Sequence, residues 1–403
     1  MEYELLAPAG DMECLKWAIE AGCDAVYLGG SRFGARAFSK NFNDVELGQA
    51  INYAHLYGVK VYLTCNTLIY ESEVEEFVDF VRFAYQNGID AVLIQDLGMY
   101  DLIHQKFPDL EIHASTQMHI HNLEGAMVAK KLGFKRIVLA RETNLETIKK
   151  IKEETGLDIE VFVHGSLCVS YSGQCLFSSL VGGRSGNRGA CAGSCRLPYD
   201  ILSKDNEVLN KDKKYPLSMK DLCAISSIGN LIDMGVNSFK IEGRMRSIYY
   251  IATVLSSYRK IIDDVINNRI NDKTINYYLK VLNRCANRES NPQFFKGLPN
   301  YKDQYYNGNR EVSNQDFLGV VLSNDNGLIT LEQRNYFKKG TIVEFISPNF
   351  EETEYTIEDI YDEDMNLIEE ANHAQMIVKF KTDIPLCKDD IMRLKTIDKE
   401  SIL

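Results

Sequence analysis

The sequence predicts an α/β chain: a TIM-like (β/α)8 barrel with a Cys-rich insertion after strand 7, followed by a small C-terminal antiparallel β-barrel. Three observations carry this. Eight short apolar runs alternate with amphipathic stretches over the first 245 residues. The connection between the seventh and eighth runs holds about 70 residues, where a loop and one helix would suffice. From residue 316 onward the pattern changes to short alternating runs separated by polar turns.

The eight runs are residues 5–9, 25–30, 61–66, 91–96, 111–117, 136–142, 158–165 and 238–244. They are four to eight residues long and rich in aliphatic and β-branched side chains, as strands buried on both faces require. Segments 11–21, 74–86 and 145–154 carry apolar residues at three- and four-residue spacing, and Gly22, Gly58, Gly88 and Gly133 stand at expected helix ends. Eight such alternations are the number a (β/α)8 barrel needs, with a doubly wound open sheet as the competing arrangement. The division expected is a catalytic barrel over 1–270 with its insertion at 166–237, a helix and linker over 271–315, and a β-domain over 316–403. Residues 247–268 read as one long helix, and FLGVVLS, LITLEQ, TIVEFIS, EYTIEDI and QMIVKFK as terminal strands.

Composition narrows the function classes. The chain has 403 residues, 45% hydrophobic and 25% charged, with ten cysteines and a formal charge of −12. No run of about 18 apolar residues predicts a membrane span, and the N-terminus does not resemble a signal peptide, so a cytoplasmic protein is expected. Residues 316–403 hold 19 Asp and Glu against 9 Lys and Arg, a balance of −10, leaving only −2 for residues 1–315. The acidity therefore does not exclude an RNA partner for the barrel.

In such barrels chemistry gathers at the C-terminal ends of the strands. Those ends are polar here: Asn66, Gln95, Asp96, Ser115, Thr116, Gln117, Arg141, Glu142, His164, Lys240, Glu242 and Arg244. Helix capping and ion pairing are the competing roles for each. Four of the ten cysteines, Cys168, Cys175, Cys191 and Cys195, fall in the insertion with six, fifteen and three residues between neighbours. Their Gly- and Ser-rich setting is unlike core packing, whereas Cys14, Cys23 and Cys65 sit in apolar surroundings. Spacing alone leaves an iron–sulfur cluster, a zinc ion and a redox or structural thiol set open. Cys223 is a possible fifth member. His119 and His121 read as ordinary loop histidines.

The segment EVFVHGSLCVSYSGQCLFSS (160–179) resembles the signature of the U32 peptidase family at Glu160, Phe162, Gly165, Ser166, Cys168, Gly173, Cys175 and Ser178. Phe177 departs from it, standing where an aliphatic residue is more usual. LLAPAGD, GARAFSKNF, GACAGSC with RLPYD, SFKIEGRMRS, and the terminal FLGVVLS, GTIVEF and DDIMR are similar too, so the resemblance covers nearly the whole chain. The family includes RNA hydroxylases, and by resemblance Cys168, Cys175, Cys191 and Cys195 would hold a 4Fe–4S cluster. The two-domain layout resembles the tRNA-hydroxylating members, which implies prephenate-dependent, O2-independent formation of 5-hydroxyuridine at the tRNA wobble position. Hydroxylation of a 23S rRNA cytidine, a collagenase-like peptidase activity, and a non-catalytic RNA- or partner-binding subunit are the alternatives.

Under this reading the barrel mouth takes a small dicarboxylate and an extruded base. Tyr27, Arg36, Asn66, Gln117, Arg141 and Arg244 are the candidates for substrate binding, and His164, Glu242 and Lys240 for catalysis. Arginine suits a carboxylate because its planar fork meets both oxygens. Arg184, Arg188 and Arg196 of the insertion are the candidates for RNA contact. A homologous subunit or an electron donor is a further expected partner, and a membrane is not. The sequence holds no HExxH or GxSxG motif, so the peptidase alternative rests on a dyad such as Cys168 with His164.

Overall fold

All eight apolar runs form strands that close on themselves. In the computed structural model, which describes residues 3–285, 288–306, 308, 316–347 and 352–397, these are β1 (Glu4–Pro8), β2 (Ala25–Leu28), β3 (Lys60–Cys65), β4 (Ala91–Ile94), β5 (Glu111–Ala114), β6 (Arg136–Val138), β7 (Asp158–Gly165) and β8 (Ser238–Ile241). Each pairs in parallel with the next, and β8 pairs with both β7 and β1, which completes the barrel. The third, fourth, fifth, sixth and eighth strands stop short of the polar residues that end their runs, whereas β7 spans its whole run, His164 included. The polar residues beyond those five strands form the loops of the C-terminal rim.

Short polar side chains start the helices that return each strand. Asp11, Asn43, Asp96, Asn122, Asn144 and Ser247 each accept a hydrogen bond from a backbone N–H of the first turn. Asp96, offered above as a rim residue, is thus a cap. Gly133 closes helix Leu123–Leu132 at φ +103°, a conformation that any Cβ would strain. The long helix Ile248–Ile266 covers the barrel with twelve buried residues.

The insertion is mostly irregular. It contains a short helix, Phe177–Gly182, single turns at Gly186–Arg188 and Ser194–Arg196, and a short strand, Asp221–Cys223, antiparallel to the end of β7. Helix Ile228–Asp233 then packs beside Ile248–Ile266 and leads into β8, so the last part of 166–237 belongs to the barrel's own repeat. The segment expected as a linker is more ordered than its pattern suggests. After helix Asp272–Leu282, Ser290–Asn291 adds in parallel to Asp221–Leu222, and Arg288 bonds Asp221 at 2.8 Å. The end of that segment, 309–315, lies outside the described residues.

The terminal runs build a curled eight-stranded antiparallel sheet around Phe345, Phe380, Leu331 and Val343. In space its strands follow the order Thr353–Thr356, Ile342–Ile346, Ile391–Leu394, Phe317–Asp325, Leu328–Gln333, Ile377–Lys381, Ile360–Tyr361, Leu367–Ile368. This is the expected small antiparallel β-domain, with no pairing between its two edge strands among the described residues. Phe317 stacks on Tyr249 of the long helix at 5.2 Å, and Val320, Ile346 and Ile391 join the barrel's core. No described helix is long and apolar enough to cross a membrane.

Candidate active site at the barrel mouth

Ten of the residues named from the strand ends and their loops line one cavity: Tyr27, Arg36, Asn66, Ser115, Thr116, Gln117, Arg141, Lys240, Glu242 and Arg244. Ala35, Thr64, Leu93 and Phe162 complete its wall. Glu242 lies between Arg36 at 3.3 Å and Arg141 at 3.2 Å. Burial pushes its carboxyl up, but Arg36, Arg141, Arg244 and Lys240 outweigh burial and hold it at about 2. Arg141 rests over the Phe162 ring at 3.8 Å, and Lys240 over the Tyr27 ring at 4.3 Å. The Tyr27 hydroxyl donates to the Ile241 carbonyl at 2.9 Å, while Asn66 accepts from the Ala35 amide at 3.0 Å. These bonds fix the rims of β2 and β3.

Arg244 differs from the other cations. It is 4% exposed, donates to Thr64 Oγ1 at 3.0 Å, and has no carboxylate within ion-pair distance among the described residues. Burial depresses its guanidinium to about 10. Four cations and two carboxylates, Glu242 and Glu160, therefore surround or underlie the cavity, an excess of two positive charges. Gly29 makes room for this guanidinium, because a Cβ there would collide with Nη1.

Beneath the cavity runs a ladder of charges that sequence reasoning missed. Lys240 Nζ lies 2.7 Å from Glu160, Arg136 bridges Glu160 at 3.4 Å and Glu4 at 2.5 Å, and Tyr62 and Ser238 donate to Glu4. Its signal was present: a charged residue inside or beside the runs ELLAP, RIV, EVFV and SFKI, pointing inward where most neighbours are apolar.

The insertion roofs the mouth. Gly189 accepts from the Ala37 amide at 3.0 Å, Ser172 N–H donates to Glu142 at 2.7 Å, and a Cβ on Gly173 would strike the Gln117 carbonyl. Cys168, Cys175, Cys191 and Cys195 are free thiols, exposed or half-buried. Burial raises the Cys195 thiol, Arg196 opposes this, and the charges of Cys168, Cys191 and Cys175 add to the rise. Arg36 is raised most by Glu242 against the effect of burial, with smaller contributions from Cys168 and Cys191. No three His, Cys, Asp or Glu among the described residues converge closely enough for a single metal ion. Four cysteines carried together on the insertion that covers the mouth are the donor type and number that an iron–sulfur cluster uses. Cys223 stands apart, its sulfur 3.9 Å from the Tyr258 hydroxyl.

Four candidate residues lie elsewhere. His164 is 2% exposed and faces the helix layer, with Nδ1 3.3 Å from the Tyr258 hydroxyl and its ring against Tyr250. The pairing of β7 with β8 slips between Phe162 and His164, and the extra residue turns His164 away from the mouth. It makes no hydrogen bond to Cys168 among the described residues, so the dyad expected for a peptidase is not assembled. Arg188 pairs with Glu73 and so binds the insertion to the barrel, whereas Arg196 bonds Ser218, Met219 and Leu167 and so ties together the two ends of the insertion itself. Arg184 remains exposed, over the Phe38 ring at 4.3 Å.

Burial, and then the charge of Arg246, pushes the His164 imidazole down to about 3. A base whose folded pKa is depressed stabilises the fold above its unfolded pKa, near 6.5, and loses that contribution as pH falls toward 3. Lowering pH from 7 to 5 is expected to remove about 2 kcal/mol through this group. Urea unfolding of wild type and His164→Gln at both pH values checks this. A variant retaining the full pH dependence would contradict it.

Residues 10–305 match the family model described as Peptidase family U32, and residues 313–393 match the Peptidase family U32 C-terminal domain. The tRNA hydroxylation protein P1 of Bacillus subtilis is 39% identical over 97% of this chain and 94% of its own length. The 23S rRNA 5-hydroxycytidine C2501 synthase of Escherichia coli is 43% identical over 66% of this chain, but the match spans only 40% of that protein. A collagenase of Porphyromonas gingivalis is 33% identical over 77% of this chain and 74% of its own length. With the barrel and the β-domain matched in order by the two models, the chain belongs to peptidase family U32.

Proposed function

We propose that this chain hydroxylates a nucleobase of RNA, converting the tRNA wobble uridine to 5-hydroxyuridine. Prephenate, a small dicarboxylate, is the co-substrate, and a 4Fe–4S cluster is held by Cys168, Cys175, Cys191 and Cys195. The observation that carries this reading is the cationic mouth beneath a four-thiol roof, because it pairs a dicarboxylate site with the donor set that a cluster uses. The B. subtilis tRNA hydroxylation protein, matched over 94% of its length, supports tRNA over rRNA.

In this reading Arg244 binds one carboxylate, and Arg36 and Arg141 turn from Glu242 toward the other. Phe162 and Tyr27 give the cavity a flat apolar wall against which a ring can lie, and Asn66 and Gln117 supply amide groups for a base edge. Glu242 stays ionised at neutral pH and keeps the two arginines oriented while the site is empty. When bound, the cluster supplies redox-active iron.

Digested tRNA and rRNA from a gene-deletion strain, analysed by mass spectrometry, test the function. The expected result is loss of 5-hydroxyuridine-derived nucleosides from tRNA, restored by the wild-type gene. Loss of a hydroxycytidine from rRNA would select the rRNA reaction, and an unchanged profile would sink the proposal. For the ligand set, Cys195→Ser purified anaerobically is expected to lose most of its iron and inorganic sulfide and the broad visible absorption. Cys223→Ser is expected to keep all three.

A further inference from the structure

A groove of about 360 Å³ separates the barrel rim from the C-terminal β-domain. That volume is within the range of sites that hold small ligands, and the mouth described above does not account for it. Phe38, Lys40 and Met245 line it on the barrel side, and Phe317 and Arg334 on the β-domain side. Residue 244 belongs to both walls: its guanidinium faces the mouth, and its carbonyl accepts from Ser39 Oγ in the groove at 3.1 Å.

We propose that this groove binds the single-stranded RNA segment flanking the nucleotide that enters the mouth, with Phe38 as a stacking platform and Lys40 and Arg334 on phosphates. The inference rests on the proposed RNA substrate. Three features point to this occupant. The first is continuity, since the groove meets the mouth at residue 244 and a strand lying in it could deliver its next base there.

The second is charge. A cation stands on each side of the groove, Lys40 on the barrel and Arg334 on the β-domain, against Asp11 and Glu13; Arg334 also pairs with Glu332 at 2.8 Å, and the guanidinium of Arg246 reaches Asp221 at 3.9 Å. Asp11 is already engaged by Lys40 at 2.8 Å and by the Cys14 amide at 2.9 Å. The β-domain is strongly acidic overall, yet the charged side chain it contributes here is an arginine. The N-terminus of the 19-residue helix Ile248–Ile266 also opens on this groove and adds partial positive charge.

The third feature is an aromatic surface beside those cations. Phe38 is 61% exposed and Met245 63%, while Arg184 covers one face of the Phe38 ring. Exposed rings among cations suit unpaired bases, which stack on any π-face while phosphates meet the charges.

Fluorescence anisotropy with tRNA purified from a gene-deletion strain tests this across a salt series. Lys40→Gln combined with Arg334→Gln is expected to weaken binding at least tenfold. It should also lower the log–log salt slope by about 1.4, since each single-strand phosphate contact contributes about 0.7. Phe38→Ala is expected to weaken binding about tenfold with an unchanged slope. Lys149→Gln, on an outer barrel helix, should bind as wild type. Ultraviolet cross-linking of the wild-type chain to the same tRNA should label the peptides holding Phe38 or Arg334, a readout that needs no variant to fold. Groove variants with wild-type affinity and slope, or cross-links confined to other faces, would overturn the groove while leaving the RNA reaction standing. A wild-type chain that binds neither tRNA nor rRNA would overturn both.

Discussion

Arg244→Met is expected to lower formation of the hydroxylated nucleoside at least about a hundredfold while leaving unfolding free energy within about 1 kcal/mol of wild type. The two effects separate because this guanidinium is buried without an acidic partner and lies among other cations. Replacing a buried charge by an apolar chain of similar length removes a desolvation cost and the repulsion from Arg36, against an attraction to Glu242 that is no direct ion pair. Thr64 is not stranded by the change, since its hydroxyl still donates to the Leu28 carbonyl at 3.0 Å. The ligand does lose its fork-shaped partner, which a lysine would not replace. Gly29→Ala should imitate the defect by pushing the guanidinium from its place. Nucleoside analysis of complemented deletion strains, with urea unfolding of each purified variant, checks both halves. An Arg244→Met chain with near-normal product would show that the mouth does not bind its substrate through this residue.

Glu160→Gln is expected to cost about 3–5 kcal/mol of stability, the largest single effect anticipated for this chain. Glu160 is fully buried, bonds Lys240 at 2.7 Å, and shares Arg136 with Glu4. Burial raises its carboxyl, and Lys240, Arg136 and His113 pull it below the usual carboxylate range. The amide would leave a buried ammonium uncompensated. A group with a depressed folded pKa stabilises above its unfolded pKa and loses that contribution as pH falls through the folded value. The gap between wild type and variant should therefore narrow in acid, below about pH 4. Glu160→Leu combined with Lys240→Met should recover much of the loss, because it removes both charges and leaves the Arg136–Glu4 pair intact. Equal stability of Glu160→Gln and wild type at pH 7 in urea would refute the ladder's role.

Several parts of the site were legible because they depend on local chemistry. Polar residues at strand ends mark the active rim of a closed barrel wherever the loops run, and eight of the mouth residues came from that argument. Four cysteines in a Gly- and Ser-rich loop have no apolar surroundings to pack into, so their separation from Cys14, Cys23 and Cys65 needed no coordinates. Other parts depended on partners distant in sequence. Arg188 and Arg196 look like RNA ligands in a basic glycine-rich loop, and only the fold brings Glu73 and the carbonyls of Leu167 and Met219 to them. The segment after Cys285 lacks periodicity because it is held by a two-residue strand pairing and the Arg288–Asp221 bond, neither of which leaves a repeating pattern.

By itself the sequence determined the alternating strands and helices, the inserted cysteine loop, the acidic terminal domain and the composition of the rim. Side-chain type and periodicity decide these within a few residues of chain. Only the tertiary structure decided which rim cations remain without an acid, and which side of β7 carries His164. Charge pairing is settled between residues far apart in sequence: Arg36 and Arg141 find Glu242, and Arg244 does not. A one-residue slip in strand pairing exchanges the inner and outer faces, so one bulge placed a rim histidine behind the barrel wall.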